Sequence, residues 1–237
     1  MSYLILIRHG QSTWNLEGRF TGWVDVDLTE NGKHEAKKAA ELIKKLNIKI
    51  NYYFSSLQLR ANNTLKIIQK TLNDNQNFIR AWELNERHYG MLTGLNKLEM
   101  GKKIGKEKVH QFRRSWDLRP EPLDHKSPFH PLNIDTYKKI PKENIPDTES
   151  LKDTYERATK FFKLKIEDKI NNGNIVISAH GNSIRALCKY LFKLDKTQIT
   201  KLEIPTGNPL LIDIDKNLKI KKCMYLDKER ARDLLIF

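Results

Sequence analysis

LILIRHGQSTWN, residues 4–15, decides how the rest of the chain is read. Leu4 to Ile7 are apolar without alternation, the pattern of a short central strand covered on both faces. The run stops at Arg8-His9-Gly10: a cation, an imidazole, and the residue whose missing side chain lets a backbone come close. Such an ending is either an ordinary strand-end turn or the rim of a site.

The pattern recurs. Ile175–Ala179 (IVISA) is a second buried run, and it ends at His180-Gly181-Asn182, after which Ile184, Leu187 and Leu191 continue at helical spacing. Between the two, Thr29 precedes Ala36, Ala39, Ala40, Ile43 and Leu46, the apolar stripe of a surface helix. Tyr52–Ser55 reads as a further strand and Leu59 to Leu72 as a further helix. Leu210–Ile214, Asp215-Lys216-Asn217 and Leu218–Tyr225 read as a hairpin. Strands alternating with helices predict an α/β fold of three layers, a mainly parallel sheet flanked by helices on both faces. From about residue 101 to 146 the pattern fails, and six of the eight prolines fall there. That stretch is expected to be a long irregular, lid-like insertion in a single domain spanning 1–237.

Composition narrows the class. The chain is 39% hydrophobic and 9% aromatic, as in a soluble globular protein, and no apolar stretch approaches the roughly 18 residues of a membrane span. Leu4–Ile7 is too short for a signal-peptide core and no basic segment precedes it, so a cytoplasmic protein is expected. Cys188 and Cys223 form no CxxC pair, which removes a thiolate zinc site from consideration. The net charge of +14 fits a nucleic-acid binder, an enzyme of anionic substrates, or a lysine-rich surface. The lysines are scattered in pairs and no nucleic-acid-binding motif accompanies them, so charge alone leaves the three readings open.

Position says more. In open α/β sheets ligands gather beyond the carboxyl ends of the strands, where His9, His180 and Arg60 would meet if their strands are neighbours. Arginines repel a dication and neither histidine has a carboxylate or thiolate at ligand spacing, so no metal is expected. Arginine suits phosphate instead, and a histidine among arginines is a nitrogen nucleophile toward phosphorus, forming a phosphohistidine. Arg8, Arg60 and a second, protonated His180 would neutralise the transferring oxygens. Glu86, in LNERHYGMLTGLNK (84–97), is the candidate general acid and base; the plainer reading is a surface pair with Arg87.

RHGQSTWN (8–15), FTGW (20–23), the SSLQLRA segment around Arg60, LNERHYGMLTGLNK, RRSW (113–116), AHGNSIRAL (179–187) and IPTGNP (204–209) together resemble the cofactor-dependent phosphoglycerate mutases of the histidine phosphatase superfamily. The resemblance runs from residue 4 to about 226. It implies interconversion of 3-phosphoglycerate and 2-phosphoglycerate in glycolysis and gluconeogenesis, with 2,3-bisphosphoglycerate as priming phosphoryl donor and no metal. It implies that His9 is the phosphorylated nucleophile, that Glu86 carries the proton, and that His180 stabilises the moving group. Arg8 and Arg60 would hold that group, with Asn15 and Asn182 adding hydrogen bonds. Thr21, Gly22, Tyr89, Lys97, Arg113 and Arg114 would clasp the carboxylate and second phosphate, Arg113-Arg114 from the insertion. Gly10, Gln11, Ser12, Thr13, Trp14, Arg87, His88 and Gly181 belong to the same motifs and are implied to bind substrate with them. The partners implied are small-molecule phosphoglycerates, with no nucleic acid or membrane, and a homodimer is the assembly the resemblance allows.

The chain departs from the family in its ending, DKERARDLLIF (227–237), where a longer tail is usual, and in residues 118–140, which follow the pattern loosely. Two alternatives stay open. One is a bisphosphoglycerate mutase or phosphatase of the same superfamily, against which Ser12 counts, since bisphosphate-making relatives tend to carry glycine there. The other is a basic nucleic-acid-binding protein with a vestigial site.

Overall fold

Period-two burial organises the sheet. In the computed structural model, which describes residues 2–215 and 217–232, Ser2–Arg8 forms strand β1. Leu4 and Leu6 join one core with Ile175 and Ile177, while Ile5 and Ile7 join another with Val176. Both faces of the strand are dry, as an unbroken apolar run requires. Truncating one of these side chains, as in Leu6→Ala, is expected to cost about 2–5 kcal/mol.

The remaining strands are β2 (Ile50–Ser55), β3 (Ile79–Arg80), β4 (Asn174–Ala179), β5 (Leu210–Ile214) and β6 (Ile220–Tyr225). Their order across the sheet is β3-β2-β4-β1-β5-β6. The first four are mutually parallel, and β5 and β6 add an antiparallel edge, the expected hairpin. Lys216 of the expected hairpin, and residues 233–237 of the C-terminal stretch, lie outside the described residues.

The helices are α1 (Thr13–Leu16), α2 (Glu30–Lys44), α3 (Leu59–Thr71), α4 (Lys97–Ile104), α5 (Lys106–Arg114), α6 (Leu151–Phe161), α7 (Glu167–Ile170), α8 (Gly181–Leu191) and α9 (Lys196–Lys201). Thr29 caps α2, its hydroxyl accepting from the Gly32 amide at 3.0 Å. Helices α2 and α3 cover one face through Ala40, Ile43, Leu65 and Ile68. Helices α6 and α8 cover the other through Ala158, Phe161, Ile184 and Leu187. Among the described residues no helix is long and apolar enough to cross a membrane.

The insertion is less irregular than its prolines imply. Its first part is helical: α5 follows α4 after Gly105, whose φ of +91° breaks the run. Met100 and Val109 bury against Phe20, Tyr89 and Leu92. Two short helices separated by a glycine offer too few repeats for periodicity to register. Arg113 and Arg114 therefore end a helix and do not ride on a loop. Beyond them the chain has short 3-10 turns but is anchored: Tyr137 is fully buried beside Trp23, ring centroids 4.9 Å apart, and its hydroxyl donates to the Trp23 carbonyl.

The parallel registers place the site. Arg8 lies opposite Ala179, and Ser55 opposite Ser178, so His9, His180 and Ser56 leave three adjacent strands at one edge. The His9 amide extends the ladder by donating to the Ala179 carbonyl at 3.0 Å. Gly10 is required by close approach: a Cβ there would stand 2.1 Å from the Gly32 carbonyl oxygen. The loop after β1 is thus pressed onto the start of α2, backbone to backbone.

Candidate active site

At this edge the two imidazoles stand with ring centroids 5.0 Å apart, both buried. His9 Nδ1 lies 2.7 Å from the Gly10 carbonyl oxygen. A carbonyl only accepts, so Nδ1 carries the proton and Nε2 keeps its lone pair. Burial, then Arg60 and Arg8, hold His9 well below the ordinary imidazole pKa, so this nitrogen stays nucleophilic at neutral pH and lower. His180 Nε2 is 2.8 Å from the Ser56 hydroxyl, and its buried Nδ1 has no partner. Burial, Arg60 and His9 lower its pKa too. The protonated His180 expected from sequence is therefore disfavoured here: low dielectric and neighbouring cations push the ring toward its neutral form.

The arginines are held by backbone oxygens. Arg60 Nη1 donates to the Val24 carbonyl at 2.8 Å and Nη2 to the Gly22 carbonyl at 2.9 Å. Gly22, at φ +54°, turns that carbonyl inward. Arg8 Nη1 donates to the Ile204 carbonyl at 2.8 Å, while its Nε has no partner among the described residues. The Glu86 carboxylate accepts from its neighbour's amide, Arg87 N, at 2.8 Å and from Asn182 N, at the start of α8, at 3.2 Å. It is 9% exposed, and the Arg87 guanidinium stacks instead on the Tyr89 ring, 4.6 Å from its centroid. The surface pair of the plainer reading is not formed. A Cβ on Gly181 would lie 3.7 Å from both Arg8 Nε and Glu86 Oε2, so acid and cation flank the same point.

The cavity is lined by Arg8, His9, Asn15, Thr21, Gly22, Arg60, Glu86, Tyr89, Lys97, Arg113, Arg114, Gly181 and Asn182, thirteen of the residues singled out in the sequence, together with Arg19, Arg185, Glu203 and Ile204. Among the described residues, seven cationic side chains thus face two carboxylates. Burial would raise the Tyr89 phenol, but Arg87, Lys97 and Arg114 outweigh it and bring the pKa below its ordinary value. Burial, and after it the neighbouring cations, lower Lys97 and Arg113.

Other sequence-singled residues have different tasks in the structure. Gln11 braces α2, its amide donating to Glu35 at 2.7 Å. Ser12 caps α1, and the Thr13 amide donates to the Asp27 carbonyl at 3.1 Å. Trp14 packs edge-on against Phe129, centroids 5.3 Å apart. His88 is fully buried, with burial and His130 pushing its pKa down to about 3. None of these, nor Gly10, Arg87 or His180, is on the cavity lining itself.

Besides the lining residues Arg19, Glu203 and Ile204, the sequence reading gives no role to Ser56, Arg185, Arg157 and Glu149. Ser56 and Arg185 stood inside quoted motifs without a role. Arg185 Nη1 donates to Asn182 Oδ1 at 2.9 Å, which turns the amide nitrogen to the Tyr89 hydroxyl at 3.1 Å. Arg157 and Glu149 were not singled out at all. Their two-pronged pair, 2.7 and 3.0 Å, is buried, and Arg157 also donates to the carbonyls of Glu83, Asn85 and Glu86. That fixes the backbone that carries Glu86, a long-range contact with no local sequence signal.

One cluster resembles a metal site in residue type: His125, His130 and Asp147, ligand atoms within 4.8 Å of one another. His130 Nδ1 accepts from the Leu132 amide at 3.2 Å, so Nε2 bears the proton it donates to Asp147 at 3.0 Å. A metal would need that Nε2 lone pair, and the donor set is satisfied as a hydrogen-bonded triad.

The sequence profile of the histidine phosphatase superfamily (branch 1) matches residues 4–129 and 129–224. A 2,3-bisphosphoglycerate-dependent phosphoglycerate mutase of Pelagibacter ubique (strain HTCC1062) is 66% identical over 238 residues, covering 100% of both chains. One of Hydrogenobaculum sp. (strain Y04AAS1) is 47% identical over 233 residues, 98% of this chain and 94% of that one. Among solved structures, the mycobacterial glucosyl-3-phosphoglycerate phosphatase Rv2419c in complex with VO3 has a TM-score of 0.68 at 20% identity, covering 95% of this chain and 97% of that one. Bacillus stearothermophilus YhfR has a TM-score of 0.66 at 20% identity, covering 91% and 92%. At such identities the structures speak to the fold.

Proposed function

The chain belongs to the histidine phosphatase superfamily, and from that membership we propose that it works as a 2,3-bisphosphoglycerate-dependent phosphoglycerate mutase, interconverting 3-phosphoglycerate and 2-phosphoglycerate. The observation that carries the chemistry is the free Nε2 of His9, fixed by the Gly10 carbonyl within a wall of cations. Likeness to mutases over the whole chain supports the substrate. The same reading places the enzyme in glycolysis and gluconeogenesis, in the cytoplasm.

In each direction the phosphorylated His9 gives its phosphoryl group to the free hydroxyl of a monophosphoglycerate, and Glu86 takes the hydroxyl proton. At the other carbon His9 Nε2 takes the phosphoryl group back, and Glu86 returns the proton to the departing oxygen. Arg8, Arg60 and His180 neutralise the equatorial oxygens, His180 gaining its proton affinity only when the dianion is beside it. Asn15 and Asn182 complete that cradle. Thr21, Gly22, Tyr89, Lys97, Arg113 and Arg114 hold the carboxylate and second phosphate.

The residues fit 2,3-bisphosphoglycerate. Among the described residues the buried donors Arg8 Nε and Arg185 Nε, both on the lining, have no partner, and the lining is strongly cationic. When bound, the cofactor supplies the phosphoryl group that primes His9. The test is conversion of 3-phosphoglycerate with and without 2,3-bisphosphoglycerate, in the presence of a chelator. Activity dependent on the bisphosphate and indifferent to the chelator supports the reading; activity restored by manganese alone contradicts it.

A further inference from the structure

Glu203 is out of place. A cavity that gathers anions is lined by seven cations, yet it carries a second carboxylate besides the proton carrier. Both Nε and Nη2 of Arg114 donate to the single oxygen Glu203 Oε1, the first at 2.9 Å. Arg114 is one of the two guanidinium groups that close the end of α5 over the site.

The backbone beneath Glu203 is pinned. Its carbonyl accepts from the Tyr225 hydroxyl at 3.2 Å, and the next carbonyl, of Ile204, takes Arg8 Nη1 at 2.8 Å. Its carboxylate, by contrast, is half exposed and reaches Arg114 from the solvent side. A fixed stem with a free head lets the carboxylate leave without disturbing Arg8. An exposed ion pair contributes little net stability, so an incoming anion of higher charge exchanges for it readily.

Resting on the mutase reading for the identity of the natural ligand, we infer that Glu203 is an internal competitor for Arg114, displaced when the second anionic group of the substrate enters. It sets the affinity of the site for anions and, by returning to Arg114, helps expel product. The pair is specific: the effect of Glu203 passes through Arg114 and is not a general lowering of positive potential.

The experiment measures dissociation constants by calorimetry for wild type, Glu203→Gln, Arg114→Met and the double variant. The probes are 3-phosphoglycerate and inorganic pyrophosphate, the latter reporting on a two-anion site whatever the chemistry. Glu203→Gln is expected to bind both about two- to fivefold more tightly, the upper part of the range an exposed ion pair spans. In the Arg114→Met background the same substitution is expected to change affinity less than twofold. Unchanged or weaker binding by Glu203→Gln would overturn the inference, since Glu203 would then orient Arg114 and not compete for it. Equal tightening in the Arg114→Met background would overturn it as well. Tightening toward pyrophosphate in a protein that does not turn over 3-phosphoglycerate would uphold the competitor and remove the mutase reading.

Discussion

Arg157, from α6, and Arg87, from within the stretch itself, both tie down residues 83–88, and the fold treats them in opposite ways. Arg157 meets the Glu149 carboxylate on two prongs and three carbonyls besides. Arg87, fully buried, donates to the Phe112 carbonyl and leaves Nε and Nη1 without partners. One region balances its buried charge. Arg87 does not, and on the cavity lining the Nε atoms of Arg8 and Arg185 likewise have no partner among the described residues. Burial of an unsatisfied cation is costly, so the asymmetry separates scaffold from ligand site without reference to any relative.

The contrast can be broken on either side. The largest effect is expected at the cavity: His9→Ala should lose mutase turnover and labelling by 2,3-bisphosphoglycerate together, and retained turnover would move the nucleophile elsewhere. Glu86→Gln should lower turnover by about 10²–10⁴-fold with KM near wild type, measured in a coupled assay. On the scaffold side, Glu149→Leu strands the buried Arg157 and should cost about 3–5 kcal/mol in denaturant unfolding. Arg113→Met should change stability by less than about 1 kcal/mol while weakening substrate binding, since burial and Arg114 already disfavour that charge. Equal losses at Glu149 and Arg113 would erase the distinction.

The buried imidazoles are read through pH. His9, His180 and His88 are all held neutral in the folded chain, His88 down to about 3. Below the ordinary pKa of about 6.5 the unfolded chain binds protons that the folded one refuses, so stability rises with pH there. Melting temperature should therefore fall as pH drops from 6.5 toward 5, and His88→Asn should flatten the slope (the asparagine oxygen can still accept from the Gly90 amide).

Much of this was legible in the chain. The unbroken runs at 4–7 and 175–179 gave the central strands because such runs need two dry faces. Both histidines then followed from the carboxyl-end rule. What stayed hidden has physical reasons. Helix α5 is short and flanked by glycine, so Arg113 and Arg114 looked like loop residues. The Arg157–Glu149 pair serves residues 83–86, more than 60 positions away, and no local spacing announces it. The neutral state of His180 depends on burial and on Arg60, both visible only once the strands are assembled.

Everything turns on His9 Nε2 taking and returning the phosphoryl group. Peptide mapping by mass spectrometry after brief exposure to 2,3-bisphosphoglycerate, under alkaline conditions that preserve phosphohistidine, tests it directly. One phosphoryl group per chain on His9, discharged by added 3-phosphoglycerate, is the predicted result. A phosphoryl group on another residue, or none in protein that turns over normally, would contradict it.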